Sequence, residues 1–288
     1  MRRLGGGNKS TRRVCTVPGT VVVAELHRWT GHTVCLIAGT RSVVTRPDIA
    51  ARVSLTHIGV VITGATKGVG YALAREFLMR GDRVCICGRS ATRVDAAVAA
   101  LRAEFPGACV AGTRCDVTDP RDVDAFGDYA AATVGVIHHW LNNAGMVSSR
   151  QPLFDIDPSE VVRVCNTNLT GAILCCQKAV KLMRRQGASG TGGSGEERSG
   201  SSSTNKSSSQ RYHVYNFGFS RWGASFSKST CTHKATKRGL SQLTSALSEE
   251  LTEAGVECVG VHQLSPGMVL TDLLLEVRVN FFDILVQV

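Results

Sequence analysis

The sequence predicts an α/β fold in which one parallel sheet carries helices on both faces within a single domain. The strongest indication is the stretch 58–70, which reads I-G-V-V-I-T-G-A-T-K-G-V-G and joins a short apolar run to a glycine-rich turn. An amphipathic run, 71–80, follows that turn directly. Apolar and amphipathic segments then alternate as far as residue 264. Such alternation is typical of a Rossmann-like, doubly wound sheet.

The first strand–turn–helix unit predicts a dinucleotide-binding site. Ile58–Ile62 is the apolar, mostly β-branched run expected of a buried parallel strand. The glycines after it, spaced G-x-x-x-G-x-G, permit a tight turn, let backbone N–H groups approach a pyrophosphate, and let the helix pack closely on the strand. The residues predicted to bind the cofactor here are Gly64, Thr66, Lys67, Gly68, Val69 and Gly70.

The remaining elements follow in order along the chain. Strands are predicted at 83–87, 109–117, 136–141, 214–217 and 256–264, and helices at 90–105, 119–132, 159–185 and 233–253. The long helix at 159–185 is expected to contain an internal irregularity. The third helix of the chain should begin at Asp119 as N-cap with Pro120 in its first position, and the second at Ser90. Phe281–Val288 is apolar and strand-like, which suggests a patch on the sheet edge.

Two segments lie outside this alternation. Residues 1–56 are rich in Arg, poor in acids and supplied with Ser and Thr, a composition that fits an organelle transit peptide or a disordered extension. Residues 187–210 are almost all Gly, Ser and Thr with a few charges, and they predict a disordered insertion within the domain at 57–288.

Composition excludes several functional classes. The first 56 residues carry +7 of the net charge of +10, so the folded domain lacks the basic surface of a nucleic-acid-binding protein. No apolar run is long enough to span a bilayer. The eleven cysteines include no C-x-x-C pair, which predicts buried reduced thiols, and His138-His139 has no third ligand nearby. No metal site is predicted.

The end of the second domain strand favours NADP(H) over NAD(H). An NAD site usually has an acid there to bond the ribose 2′-hydroxyl, whereas this chain reads Gly88-Arg89-Ser90. The Arg89 guanidinium could hold a 2′-phosphate, with Lys67 adding positive charge on the same side. Ser90, next to Arg89, is also a predicted cofactor contact. Asp116 and Val117 are expected at the adenine edge, and Asn143, Ala144 and Gly145 where the backbone passes the cofactor.

Six motifs together resemble the short-chain dehydrogenase/reductase family. They are T-G-x-x-x-G-x-G at 63–70, D-V at 116–117, N-N-A-G at 142–145, N-L-T-G at 168–171, A-T-K at 235–237 and S-P-G-M-V-x-T at 265–271. The residues between the motifs are most similar to the chlorophyll b reductases of plants and green algae, in particular the soluble non-yellow-colouring-like type. The resemblance covers about residues 58–272.

The resemblance implies a catalytic set and also shows two departures. Asn168, Ser220 and Lys237 match the family's catalytic Asn, Ser and Lys, while His233 stands where the family has its proton-donating Tyr. Lys237 should lower the pKa of an imidazole beside it and so weaken it as an acid. The matched segment beside the nicotinamide carboxamide consists of Pro266, Gly267, Val269 and Thr271. Only sixteen residues follow Asp272, so the family's C-terminal lid and last strand are expected to be truncated.

Three functions are compatible with these residues. The first is NADPH-dependent reduction of the C7 formyl group of chlorophyll b in the chloroplast, in the stroma or at the thylakoid. The second is reduction of another carbonyl compound, and the third is NADP binding without efficient catalysis because of His233. The resemblance also implies contact with a pigment-carrying light-harvesting complex, and a homo-oligomer or a hetero-oligomer with a related reductase.

Overall fold

In a computed structural model, the described residues are 57–149, 151–189, 211–218 and 231–264, together with the backbone of four strands near the N-terminus. These strands are β1 (Thr11–Val17), β2 (Thr20–Trp29), β3 (His32–Val34) and β4 (Ala38–Thr40). They form an antiparallel sheet in which β2 pairs with each of the other three. The sequence analysis did not predict them, and the interpretation of 1–56 as a leader stays a prediction.

A six-stranded parallel sheet forms the centre of the domain. Its strands are β5 (Gly59–Thr63), β6 (Arg83–Gly88), β7 (Val110–Arg114), β8 (Ile137–Asn142), β9 (Tyr212–Phe217) and β10 (Val259–Leu264). Their order across the sheet is β7-β6-β5-β8-β9-β10, and every neighbouring pair is parallel. The chain therefore changes direction across the sheet between β5 and β8, which opens a crevice at their carboxyl ends.

Helices cover both faces of this sheet, as predicted. They are α1 (Gly68–Met79), α2 (Ala91–Glu104), α3 (Pro120–Val134), α4 (Pro158–Cys165), α5 (Gly171–Ser189) and α6 (Cys231–Glu253). One buried cluster packs beneath α3, α5 and α6 around Trp140, Phe126 and Met183. The other packs beneath α1 and α2 around Ile62 and Ile86. None of the helices among the described residues is both long and apolar enough to cross a membrane.

Capping residues in the sequence correctly predicted where helices α2 and α3 begin. Ser90 accepts a hydrogen bond from the Arg93 N–H and begins α2, while Asp119 accepts one from the Arg121 N–H and begins α3. The single long helix predicted at 159–185 is instead α4 and α5, joined by a π-helical turn at Asn166–Thr170. Helix α5 continues to Ser189, which is three residues into the predicted insertion. The rest of that insertion, and the predicted strand at 281–288, lie outside the described residues.

Aromatic and imidazole rings line the α1 side of β8, β9 and β10. We call His139, His213 and His262 the imidazole cluster. His139 pairs with His213 in register and stacks on it at a centroid distance of 5.4 Å. His213 Nδ1 lies 2.9 Å from His262 Nε2, and Tyr215 stacks on His262 at 5.1 Å. Burial and the neighbouring imidazoles lower the pKa of His139 to about 4, so this ring is neutral at pH 7.

The cysteines in the described part of the chain are free, and those of β6 and α5 are buried. Burial raises the pKa of Cys85 and of Cys176 to about 12. Such thiols are poor nucleophiles because almost no thiolate is present near neutral pH. Within the described residues, no three His, Cys, Asp or Glu side chains are arranged to hold a metal ion.

Candidate active site

The glycine turn between β5 and α1 is shaped by close backbone approaches. Gly64 has a φ of +64°, and a Cβ added there would lie 2.7 Å from the Ala144 Cα. Gly68 also has a positive φ, +61°. A Cβ on Gly70 would lie 2.4 Å from Asn143 Nδ2 and 2.9 Å from the Gly64 carbonyl oxygen. Side chains at these positions would close the turn, so the structural roles predicted for the glycines fit the geometry.

The end of β8 is tied directly to this turn. The Asn143 side-chain amide donates to the carbonyl oxygens of Thr63 at 3.0 Å and Gly64 at 2.9 Å. The Ala144 N–H donates to Thr63 Oγ1 at 3.0 Å. These bonds hold the N-N-A-G segment against the glycine turn, across the crevice between β5 and β8.

The residues around this crevice fit a dinucleotide. Helix α1 begins at Gly68 after an extended Lys67, so the helix N-terminus and its N–H groups face the end of the strand. The missing Cβ atoms at Gly64 and Gly70 leave the backbone accessible there. A bound nicotinamide dinucleotide would supply the hydride, and the turn would hold its pyrophosphate.

The residue that follows β6 is basic and exposed, whereas an acidic residue that follows β7 is hydrogen-bonded within its own loop. Arg89, directly after β6, is exposed, as is Lys67. The Ser90 hydroxyl is occupied with capping α2. Asp116 Oδ1 accepts hydrogen bonds from the Thr118 N–H at 3.0 Å and the Thr118 hydroxyl at 2.8 Å. The Asp116 carboxylate thus fixes the loop after β7. That strand ends at Arg114, three residues before the predicted end at Val117.

Asn168 occupies the π-helical turn between α4 and α5 and is 1% exposed. Its Oδ1 accepts a hydrogen bond from the Met146 N–H at 2.8 Å, and its Nδ2 donates to the Met146 carbonyl oxygen at 2.9 Å. The same Nδ2 donates to Thr236 Oγ1 at 3.1 Å. Asn168 therefore connects the loop after β8 to α6, at the helix irregularity that the sequence predicted.

His233 lies in the first turns of α6 and is 7% exposed. Its Nδ1 is 3.1 Å from the Met146 carbonyl oxygen and 3.4 Å from Asn168 Nδ2. Burial, and then the Lys237 charge, lower the pKa of His233 to about 4, although the hydrogen bond to Met146 opposes this shift. The imidazole is therefore neutral near pH 7, as the sequence analysis expected from Lys237.

Lys237 lies one helical turn beyond His233. Its Nζ donates to the Phe217 carbonyl oxygen at 2.7 Å, which ties α6 to the end of β9. A Cβ on Gly145 would lie 3.5 Å from that Nζ, so the ammonium group also borders the loop after β8. Burial lowers the pKa of Lys237 to about 8.

The structure brings most of the predicted catalytic and cofactor residues to one edge of the sheet. The glycine turn, the Asn143–Gly145 segment, Asn168, His233 and Lys237 are linked by the contacts above. Ser220, Pro266, Gly267, Val269 and Thr271 lie outside the described residues. The sequence analysis missed the Met146 carbonyl, because a backbone acceptor leaves no residue signature. It also assigned no role to Thr236, the middle residue of the A-T-K motif.

Comparison with known proteins identifies the family. The family model for short chain dehydrogenase matches residues 59–192. The granaticin polyketide synthase putative ketoacyl reductase 1 of Streptomyces violaceoruber is 30% identical over 224 residues, which cover 78% of this chain and 72% of its own. The chain belongs to the short-chain dehydrogenase family. The members of this family are NAD(P)-dependent oxidoreductases.

Within this family, the chain is similar to plant proteins. The chloroplastic chlorophyll(ide) b reductase NOL of Arabidopsis thaliana is 40% identical over 217 residues. This match covers 75% of the present chain but 56% of the Arabidopsis protein, so the chain spans little more than half the length of that relative. A solved family member from Burkholderia phymatum, in complex with NAD, superposes with a TM-score of 0.61 at 25% identity, covering 78% of this chain and 71% of its own.

Proposed function

We propose that this chain is an NADPH-dependent carbonyl reductase that converts the C7 formyl group of chlorophyll b or chlorophyllide b to a hydroxymethyl group. The observation that carries the proposal is the joining of Asn168, Lys237 and the glycine turn at one crevice, in a chain 40% identical to a chlorophyll(ide) b reductase. In this assignment Lys237 binds the nicotinamide ribose and Asn168 holds the loop around the reacting carbonyl.

The preference for NADPH is supported by the charges at the end of β6. Arg89 and Lys67 are both exposed, and an exposed guanidinium can move to grip a 2′-phosphate. The first acid after β6 is Asp95, inside α2, where it lies too far along the helix to replace the usual ribose-binding carboxylate. The fold alone does not determine whether NAD or NADP binds, because a related structure is in complex with NAD.

The names of the plant relatives and the basic composition of residues 1–56 support a proposal for the cellular setting. We place the protein in the chloroplast, in the stroma or against the thylakoid surface, in contact with pigment or a light-harvesting complex. We also propose that the chain assembles with a second copy of itself or with a related reductase. Nucleic acid is not proposed as a partner, because +7 of the net charge of +10 precedes residue 57.

A second candidate, NADP binding with little catalysis, is favoured by one observation. His233 replaces the usual Tyr, and its pKa of about 4 leaves almost no imidazolium to donate a proton near neutral pH. A third candidate, reduction of a different carbonyl compound, shares every residue of the site with the first.

Cofactor binding and pigment turnover, measured separately, test these candidates. NADPH and NADH titrations of the purified full chain should give tighter binding of NADPH. Chlorophyllide b and benzaldehyde are then each incubated with excess NADPH, and the products are separated by chromatography. Formation of 7-hydroxymethyl chlorophyllide a supports the first candidate, reduction of benzaldehyde alone supports the third, and NADPH binding with neither product supports the second. Absence of NADPH binding would contradict all three.

A further inference from the structure

A chain of side-chain hydrogen bonds runs from β8 to α6 at the carboxyl end of the sheet. The Trp140 indole N–H, which can only donate, bonds to Asn142 Oδ1 at 2.9 Å. Asn142 Nδ2 donates to Asn216 Oδ1 at 2.9 Å, and Asn216 Nδ2 donates to the Thr244 hydroxyl at 3.1 Å. That hydroxyl donates its own hydrogen to the Leu240 carbonyl at 2.8 Å. The indole therefore fixes the orientation of the first amide, and the first amide fixes that of the second.

Asn216 lies in the middle of this chain of hydrogen bonds and is 0% exposed. It stands in register with Asn142 across the pairing of β8 with β9. The Asn216 Oδ1 also accepts from the Cys176 thiol of α5 at 3.3 Å, and Asn142 Nδ2 donates to the same sulfur at 3.2 Å. A single buried amide thus joins β8, β9, α5 and α6.

The contact between Asn216 and α6 lies on the helix face that carries Lys237. Thr244 is seven residues beyond Lys237, which is two turns of an α-helix, so both side chains face β9. Lys237 Nζ donates to the carbonyl oxygen of Phe217, the residue next to Asn216, at 2.7 Å. Two consecutive residues of β9 therefore hold α6 at two points on one face. Two such points limit both the sliding and the rotation of the helix on the strand.

Hydrogen bonds of this kind define positions more than they add stability. Replacing both partners of a buried hydrogen bond by apolar groups of the same shape is often nearly neutral for the free energy of unfolding. A satisfied polar network, in contrast, favours the one arrangement in which each partner is met. Asn142 directly precedes Asn143, which bonds to the glycine turn, so this network connects that turn to α6.

We propose that Asn216 is a positioning residue, which sets α6 on β9 and thereby places the Lys237 ammonium for cofactor binding. The inference rests on the proposed function, because that function assigns Lys237 to the nicotinamide ribose. Loss of the amide would remove one of the two points that hold α6. The helix could then rotate about the remaining bond at Phe217 and carry the ammonium with it.

The variant Thr244→Val breaks the network at its α6 end with little change in shape. A change at Asn216 itself would also remove the bonds to Asn142 and Cys176. Thr252→Val is the matched control, because the exposed Thr252 hydroxyl makes the same bond to the carbonyl four residues earlier, at 2.9 Å. Thr244→Ser keeps the hydroxyl that accepts from the amide, so it should behave as the unmodified chain does.

NADPH binding to the purified full chain, measured by calorimetry, is the first test. We expect Thr244→Val to weaken binding about tenfold, the equivalent of one hydrogen bond, while Thr252→Val and Thr244→Ser bind normally. The valine change is then repeated in a Lys237→Met background. There it should have little further effect, because the group that it displaces is gone. Equal losses of affinity with and without Lys237 would show that the network acts on stability alone and would refute the inference.

The titration of Lys237 tests the same inference without any cofactor. The lysine side chains of the full chain are labelled with ¹³C and followed by NMR, and the Lys237 signal is identified by its absence in Lys237→Met. Burial lowers the pKa of this ammonium to about 8, so a helix shift that admits water should raise the pKa toward its usual value of about 10.4. We expect that rise in Thr244→Val and not in Thr252→Val.

An unchanged pKa of Lys237 in Thr244→Val would overturn the proposal, whatever the binding data show. If the unmodified chain does not bind NADPH, the proposed cofactor is wrong and the lysine titration alone decides the present inference.

Discussion

The side-chain amide of Asn143 lies 2.9 Å from the carbonyl oxygen of Gly64 and donates a hydrogen bond to it. A second hydrogen bond, to the Thr63 carbonyl, uses the other hydrogen of the same amide. Thr63 is the last residue of β5 and Gly64 follows it, so both carbonyls lie where the chain leaves the strand and turns toward α1. Asn143 therefore ties the end of β8 to the turn that we propose binds the cofactor pyrophosphate.

Replacing Asn143 with Asp should destabilise the protein and weaken NADPH binding. The change is isosteric, but it removes both donated hydrogen bonds and sets a carboxylate against two carbonyl oxygens. We expect a loss of about 1–3 kcal/mol in the free energy of unfolding, measured by denaturant titration. Asn166→Asp is the matched control, because Asn166 is exposed and receives the same charge. Equal losses in the two variants would contradict the role assigned to Asn143.

A comparison of Gly64→Ala with Gly107→Ala should separate backbone strain from steric closure of the cofactor turn. Both glycines have positive φ, +64° and +82°, so both substitutions carry the strain of a left-handed conformation. A Cβ on Gly107 meets nothing within 4 Å, whereas one on Gly64 would overlap the Ala144 backbone. We expect a cost of about 1–2 kcal/mol for Gly107→Ala with normal NADPH binding. Gly64→Ala should cost more and abolish binding, and retention of binding would show that the close approach is unimportant.

Arg89→Ala should lower the affinity for NADPH by about 10–100-fold and leave NADH binding unchanged. The expected loss is that of a charge-assisted hydrogen bond to the 2′-phosphate, which NADH lacks. Arg184→Ala, a change at an exposed position on α5, serves as the control for lost surface charge. A parallel loss of affinity for both cofactors would place Arg89 elsewhere in the site.

The imidazole cluster should make folding stability depend on pH between about 4 and 6.5. Burial and neighbouring imidazoles lower the pKa of His139 and of His262 to about 4, below the value of about 6.5 expected in the unfolded chain. The unfolded state therefore binds protons first as the pH falls through this window. The free energy of unfolding should be level between about pH 6.5 and pH 8, below the range in which Lys237 titrates, and decline toward pH 4. Because these imidazoles are partly exposed, each should change the free energy of unfolding by less than the limit of about 1.4 kcal/mol per pH unit.

The variant His139→Phe isolates the contribution of one ring. It keeps a planar side chain against Phe77 and His213, and it removes the His139 Nδ1, which is buried without a hydrogen-bond partner. We expect the variant to be about 1 kcal/mol more stable at pH 7, with a larger gain at pH 5, in denaturant titrations at both values. A gain that is the same at both pH values would mean that His139 does not titrate on unfolding.

The sequence predicted those parts of the fold that depend on local signals. The glycine turn and the caps at Ser90 and Asp119 each follow from a few adjacent residues. The parallel sheet with helices on both faces followed from the alternation of strands and helices. The resemblance to a known family added the roles of Asn168 and Lys237, which no local pattern specifies.

What the sequence did not predict depends on contacts between distant segments. His213 and His262 are 49 residues apart and meet only because β9 and β10 pair in one particular register. His139 joins them because it lies in register with His213 across the pairing of β8 with β9. His233 Nδ1 likewise lies 3.1 Å from the carbonyl oxygen of Met146, which is 87 residues earlier in the chain.

Restoring a phenol at the catalytic position should increase reductase activity. His233→Tyr supplies a hydroxyl that can donate to a carbonyl oxygen, and the nearby Lys237 ammonium would stabilise the phenolate left behind instead of opposing protonation. We expect NADPH oxidation with chlorophyllide b to rise by about 10²–10⁴-fold, the usual contribution of a positioned acid. The rate is followed by the loss of NADPH absorbance. His233→Phe, which has a ring but no donor, should stay at the level of the unmodified protein. Equal rates for the Tyr variant and the unmodified chain would mean that residue 233 does not transfer the proton.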